Sequence, residues 1–416
     1  MKNRVAVTGL GAISPLGLGI RENWEKIIEA KSAVCSASFE GCDLFSHSIC
    51  GTVPEFDPGD YIPNRRLLKI MNRESMLASA AAGLAIKDAQ LNDFYKSGSI
   101  GLYLGSGLTS GELDYLLPLI ENSIDSEGNF SFDLLGKKAL PNCNPLLSFK
   151  ILPNMALSYI SILYNIKGRN MAFNPWPGNT AQAIGEAMRA IEKGSIDCAV
   201  AGGCDSKNHF IGFTTFSNFG LLSSKGTASP FGKDSDGLIL SEGASLVVLE
   251  NYELAERRGA KIYAELSGYS TMTDSGGQGY ISSCPDILKD VMINTISDAG
   301  INSEDIDAVV AGADSISESD RAEAMAIQDL FKSSQPLVTS AKSLTGDMLA
   351  ASPAFDICIS AYSLSNGGMP ALINNSVTGY DLNFSSAGDP LRGMESILIN
   401  SFAPGTAKTS LLLRRS

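Results

Sequence analysis

Short runs of apolar and β-branched residues alternate along the chain with stretches whose apolar positions recur every three or four residues. The runs RVAVTGL, SIGLYLGSG, DCAVAGG, ASLVVLE, KIYAELSGYS, DAVVAGAD, SILINSF and SLLLRR predict strands. Between them, ESMLASAAAGLAIKDAQL places Leu77, Ala80, Ala81, Leu84 and Ala85 on one helical face, and AQAIGEAMRAIEK stacks Ala183, Ile184, Ala187, Met188 and Ile191. Strands and helices in alternation predict an α/β layered fold.

Two segments echo one another: LAIKDAQLNDFYKSGSIGLYLGSGL and NTISDAGINSEDIDAVVAGADSI each read as helix, Asp-Ala, a polar link and a strand ending in small residues. The echo predicts one duplicated body with halves 1–250 and 251–416, divided after the strand Ala244 to Glu250. Thr271 to Cys284, rich in Gly and Ser, is expected to be a surface loop. Ser123 to Pro145 is expected to be an irregular insertion that contacts a partner.

Composition narrows the function. The 416 residues are 44% hydrophobic, enough for an extensive core, and carry a net charge of −13. With no Lys/Arg cluster beyond a dipeptide, a surface built to neutralise phosphates is excluded, and nucleic acid with it. Thr8, Gly9 and Gly11 interrupt the apolar run a secretory signal requires, and no stretch approaches membrane-spanning length, so a soluble cytoplasmic protein with no membrane partner is expected. The eight cysteines show no CxxC or Cys/His spacing, which predicts reduced, mostly buried thiols and no metal site. The only histidines are His47 and His209.

Across nearly its whole length the chain resembles the β-ketoacyl-ACP synthases of the thiolase fold. The resemblance rests on RVAVTGLGAISPLG, LPNMALSYISILYNIKGRNMAF, AIGEAMRAIEKGSIDCAVAGG, SPFGKDSDGLILSEGASLVVLENYELAERRGAKIYAEL and TSAKSLTGDMLAAS, in that order. It implies a duplicated five-layered α-β-α-β-α architecture. It also implies decarboxylative condensation of malonyl units on an acyl carrier protein, using a Cys nucleophile at a helix N-terminus, two imidazoles and a pair of backbone N–H donors.

Those parts are missing where the resemblance places them. Counting back from Ile184-Gly185, the nucleophile's position falls on Pro177. The first His falls on Gly312, and the second, in KSLTGD, on Asp347. The Phe whose amide completes the oxyanion hole becomes Pro404 in NSFAPGTAKTS. Proline has no N–H, and one such donor is worth about 3 to 4 kcal/mol. Lys342 and Glu323 are retained, and with the thiol gone they are expected to form a buried ion pair that preserves shape. Trp176 is read as filling the vacated space, with the sharper reading that it plugs an acyl pocket. His47, His209 and Cys204 lie outside the motifs, where a His is ordinarily surface-exposed or hydrogen-bonded and a small thiol at a strand end ordinarily packs.

Among such synthases the chain resembles the chain-length factors of type II polyketide systems, in the lost Cys and in DSISESDRAEAMAI, and departs from them by Pro177 where many carry Gln. That resemblance implies a non-catalytic subunit, with no cofactor, that heterodimerises with an active ketosynthase and shapes the tunnel limiting polyketide length. An acyl carrier protein bearing phosphopantetheine would dock mainly on the ketosynthase, since this chain is itself acidic. The tunnel segment would be LTSGELDYLLPLIEN, whose Leu113, Leu116, Leu117 and Ile120 share one helical face; the same stripe equally suits core or dimer packing. The alternatives are an active synthase using unorthodox residues and a free-standing acyl-binding homodimer.

Overall fold

A computed structural model describes the chain except residues 1, 46–47, 92–93, 108–112, 175–176, 276–282, 375–378, 388–392 and 403–406, together with the side chains of 177–178. All eight expected strands are present. In chain order the strands are β1 (Val5–Ser14), β2 (Gly17–Leu18), β3 (Val34–Ser36), β4 (Ile49–Gly51), β5 (Ile100–Ser106), β6 (Asn170–Phe173) and β7 (Cys198–Asp205). They continue with β8 (Gly243–Asn251), β9 (Ala264–Thr273), β10 (Ala308–Val310), β11 (Leu337–Thr339), β12 (Asn383–Phe384), β13 (Ser396–Ser401) and β14 (Ala407–Arg414).

Except for the β3–β4 hairpin, these strands form one sheet ordered β12-β11-β10-β13-β14-β9-β1-β8-β7-β5-β6, with β2 paired to β1. Its pattern repeats outward from the β1–β9 junction. On one side β8 and β7 add antiparallel and β5 and β6 parallel; on the other β14 and β13 add antiparallel and β10 and β11 parallel. Strands such as β7 and β8 are apolar on both faces because helices cover both sides.

Two helices form the middle layer. Pro177–Glu192 buries Ala183, Ile184, Ala187, Met188 and Ile191, as their spacing predicts, and Ser352–Asn366 is buried almost throughout. The first touches β5, β7, β9 and β14, and the second touches β1, β8, β13 and β14, so strands of both halves close over the pair. The backbone approach is tight: a Cβ at Gly185 would lie 2.3 Å from the Tyr269 ring. On an outer layer, the helix Arg73–Ala89 buries Leu77, Ala80, Ala81 and Ala85 and leaves Leu84 half-buried.

Two expectations need correction. Thr271–Thr273 belong to β9, where Thr271 and Thr273 pair with Thr409 and Ala407, and most of the remainder of the expected loop, 276–282, lies outside the described residues. Ser123–Pro145 is not simply irregular: Ser131 caps the short helix Phe132–Leu134 by accepting from the Leu134 N–H, and a π-helical turn, Leu135–Ala139, follows.

Candidate functional site

The helix Pro177–Glu192 begins at Pro177, a position where proline's fixed φ and missing N–H cost the helix nothing. The same missing N–H removes a donor that an acyl oxyanion would need. Trp176, Pro404 and His47 lie outside the described residues, as does the side chain of Pro177.

Gly312, Lys342, Glu323 and Asp347 come together in one buried cluster. The Gly312 peptide is held at both ends: its N–H donates to Glu323 Oε1 at 3.1 Å, and its carbonyl accepts from Lys342 Nζ at 2.7 Å. A Cβ at Gly312 would sit 2.8 Å from the Phe402 amide nitrogen, so the position has no room for a side chain. The expected Lys342–Glu323 pair is not made. Lys342 instead pairs with Asp347 at 3.3 Å, and Glu323 meets it only through the peptide between them. Asp347 Oδ1 accepts from the Leu349 N–H and the Ser352 hydroxyl, each at 2.8 Å. Asp347 thus pairs with Lys342 and anchors the turn Leu349–Ala351.

More charges surround this core. Asp314, Asp356 and Lys408 are all at most 3% exposed. Burial pushes the Asp314 carboxyl up to about 6 against the opposing pull of Lys342, and pushes Glu323 and Asp356 each up to about 7. Burial also opposes the charge on Lys342, but Asp347, Asp314 and Asp356 together hold its ammonium above the ordinary lysine range. Lys408 is pushed down by burial; its Nζ donates to the Phe402 carbonyl at 3.3 Å. The sequence reading missed Asp314, Asp356 and Lys408. A signal existed for Lys408, a lysine inside the otherwise apolar and hydroxylated strand AKTSLLLR.

The other candidates for chemistry are quiet. His209 caps the helix Phe210–Asn218, its Nδ1 accepting from the Gly212 N–H at 3.2 Å, and burial takes it down to about 4, so it is neutral at pH 7. Cys204 is fully buried, and that burial, with Glu74 beside it, keeps it a thiol. Glu74 itself is pushed by burial to about 8, and Lys207 lies between it, at 3.9 Å, and Asp205. Four of the eight cysteines are buried, fewer than expected. Among the described residues no group of His, Cys, Asp or Glu is arranged to hold a metal ion.

A cleft of about 290 Å³ lies beside the second cluster, lined by Phe39, Arg73, Glu74, Leu113, Tyr115 and Lys150 among others. Of the expected tunnel residues only Leu113 borders it. Leu116, Leu117 and Ile120 lie on the helix Leu113–Glu121, which buries none of its residues, and Leu117 and Ile120 are 39% and 43% exposed. The stripe therefore turns away from the chain's own core.

Residues 2–255 match the beta-ketoacyl synthase N-terminal domain and residues 263–376 the corresponding C-terminal domain. The mitochondrial 3-oxoacyl-[acyl-carrier-protein] synthase of Arabidopsis thaliana is 30% identical over 98% of this chain and 92% of its own. The 3-oxoacyl-[acyl-carrier-protein] synthase 2 of Coxiella burnetii is 29% identical over 100% of this chain and 99% of its own. Among solved structures, the ishigamide ketosynthase/chain length factor superposes with a TM-score of 0.87 at 25% identity, covering both chains fully.

Proposed function

We propose, from the premise that this chain belongs to the beta-ketoacyl synthase family and has its thiolase fold, that it is the non-catalytic partner of an active ketosynthase, a chain-length factor. The observation that carries this reading is the closed ionic cluster at Gly312, Lys342, Asp347 and Glu323. Two of its members stand where the family resemblance expects imidazoles. One has no space for a side chain, and the other is committed to a buried lysine. No described cysteine is hydrogen-bonded to this cluster. A chain so equipped cannot hold a thioester or steady an enolate by the family's means.

What remains is shape. The outward apolar stripe Leu116, Leu117 and Ile120 supports a tunnel wall completed by a second subunit, in which the depth of the joint cavity limits product length. The chain's acidity supports carrier-protein docking mainly on the ketosynthase. The sheet pattern repeated about β1 and β9 supports two related halves joined after β8, near residue 250. Among the described residues no helix is long and apolar enough to cross a membrane; we place the protein in the cytoplasm.

A second reading, an active synthase with unorthodox residues, is favoured by one observation: relatives at 29–30% identity carry the name synthase. Co-expression with a candidate ketosynthase separates the two. The proposal expects a one-to-one complex that condenses malonyl-carrier units and an isolated chain that does not. Condensation by the isolated chain establishes the second reading.

A further inference from the structure

The hairpin β3–β4 sets two thiols face to face. Its register places Cys35 directly opposite Cys50, with Val34 against Gly51 and Ser36 against Ile49. Further along, the Ala37 N–H donates to the Ser48 carbonyl at 2.7 Å, which makes 37 and 48 a hydrogen-bonded pair. Such pairs recur every second residue, so 35 and 50 form another, with Cα atoms about 5.5 Å apart and side chains on one face. That Cα spacing falls within the range of roughly 4.4 to 6.8 Å that a disulfide spans, and closing the bond draws the two Cβ atoms in from about 5 Å to about 4 Å.

Both thiols are free, and they differ in access: Cys35 is exposed, whereas Cys50 is 1% exposed and burial pushes its thiol up to about 11. The hairpin is tied to the body at Cys50's end. The Gly51 N–H donates to the Leu240 carbonyl at 3.0 Å, and Asn208 Nδ2 donates to the Gly51 carbonyl at 2.7 Å. Between the two strands, the Phe39 ring packs 4.8 Å from Phe213, and Phe39 and Glu40 form one wall of the cleft. A bond from Cys35 to Cys50 would therefore staple the base of the flap that borders the cleft.

We propose that Cys35 and Cys50 are a reversible oxidation site that takes a low-molecular-weight disulfide as oxidant and closes to an intramolecular cystine. The Cys35 thiolate attacks one sulfur of the small disulfide, whose S–S bond breaks to release one small thiol. Cys50 then gives up its proton and attacks the Cys35 sulfur, expelling the second small thiol. Two S–H bonds are lost, one S–S bond is gained, and the oxidant is reduced to two thiols. Because the thiolate is the attacking species, burial of Cys50 makes the second displacement the slow one.

The full chain is equilibrated in glutathione buffers of increasing oxidised fraction, its remaining thiols are blocked, and it is cut with trypsin and a protease specific for Glu and Asp. Cleavage after Lys31, Glu40, Asp43 and Glu55 separates Cys35, Cys42 and Cys50. The expected product is peptide 32–40 linked to peptide 44–55, released by dithiothreitol, absent in Cys35→Ser and Cys50→Ser, and retained in Cys42→Ser. If Cys50→Ser does not fold, the exposed Cys35→Ser carries the control. Recovery of Cys35 only as a glutathione adduct, or linked to Cys42 with Cys50 reduced, overturns the proposal. The outcome is independent of the chain-length reading.

Discussion

Single residues set what the buried cluster around Gly312 can do. Asp347 stands where the family resemblance expects an imidazole, and it pairs with the buried Lys342 at 3.3 Å. Removing one partner strands the other: Asp347→Ala is expected to lower unfolding free energy by about 3 to 5 kcal/mol in urea titrations. The double variant Lys342→Met, Asp347→Leu should recover only part of that loss, because it removes the desolvated charges but leaves the Gly312 carbonyl, the Leu349 N–H and the Ser352 hydroxyl without their partners. Equal destabilisation of single and double variants would contradict a pairwise role.

The cluster also sets a pH dependence. Asp314, Glu323 and Asp356 keep their protons in the folded chain up to about 6, 7 and 7, while the unfolded chain releases them near the ordinary carboxylate values of about 4. Between those limits the native state binds more protons, so stability falls as pH rises from about 5 to 7. His209, taken down to about 4, acts oppositely, but Glu74, pushed up to about 8, and the raised Asp205 and Asp320 act with the three. Glu323→Gln keeps an acceptor for Gly312 and Asn400 and should make the slope shallower by up to about 1.4 kcal/mol per pH unit. Thermal melts across this window check it; an unchanged slope would remove Glu323 from the titrating set. Positions 312 and 347 could be singled out from the sequence, and the structure brings both into one buried cluster. The partner of Lys342 was not legible there, because which carboxylate a buried lysine meets is set by contacts between distant segments, and Asp314 and Asp356 belong to no motif.

At the scale of elements, burial periodicity served where a run was long and packed on both faces. The eight expected strands and the two amphipathic helices follow from it. The strands β6, β11 and β12 were missed because two to four residues give too little pattern, and two of them, β6 and β12, lie at the sheet's edges. The stripe on Leu113–Glu121 shows the converse limit: spacing fixed a common face but not what that face meets. Its segment is unusually bare. Of the sixteen large apolar side chains exposed among the described residues, ten lie between Leu117 and Ile162, with Phe132 at 80%. So much apolar surface on one region fits the partner contact that the proposed function requires. Phe132→Ser should weaken association with the ketosynthase in sedimentation or titration measurements while leaving the isolated chain's melting temperature within about 2 °C, since little buried area is lost. Ile120→Ala should lengthen the complex's product. A fall in stability with unchanged product length would return Ile120 to core packing.

For the whole molecule, the repeated sheet pattern and the buried central helices describe an intact condensing-enzyme body, whatever its chemistry. The framework of a condensing enzyme costs nothing to retain if its use is to stand beside a working copy. The central claim is that covalent chemistry takes place only on the other subunit. The direct measurement is intact-mass spectrometry of both subunits after the complex turns over with acyl and malonyl carrier protein. The account predicts an acyl adduct on the ketosynthase alone. An acyl adduct on any cysteine of this chain would contradict it.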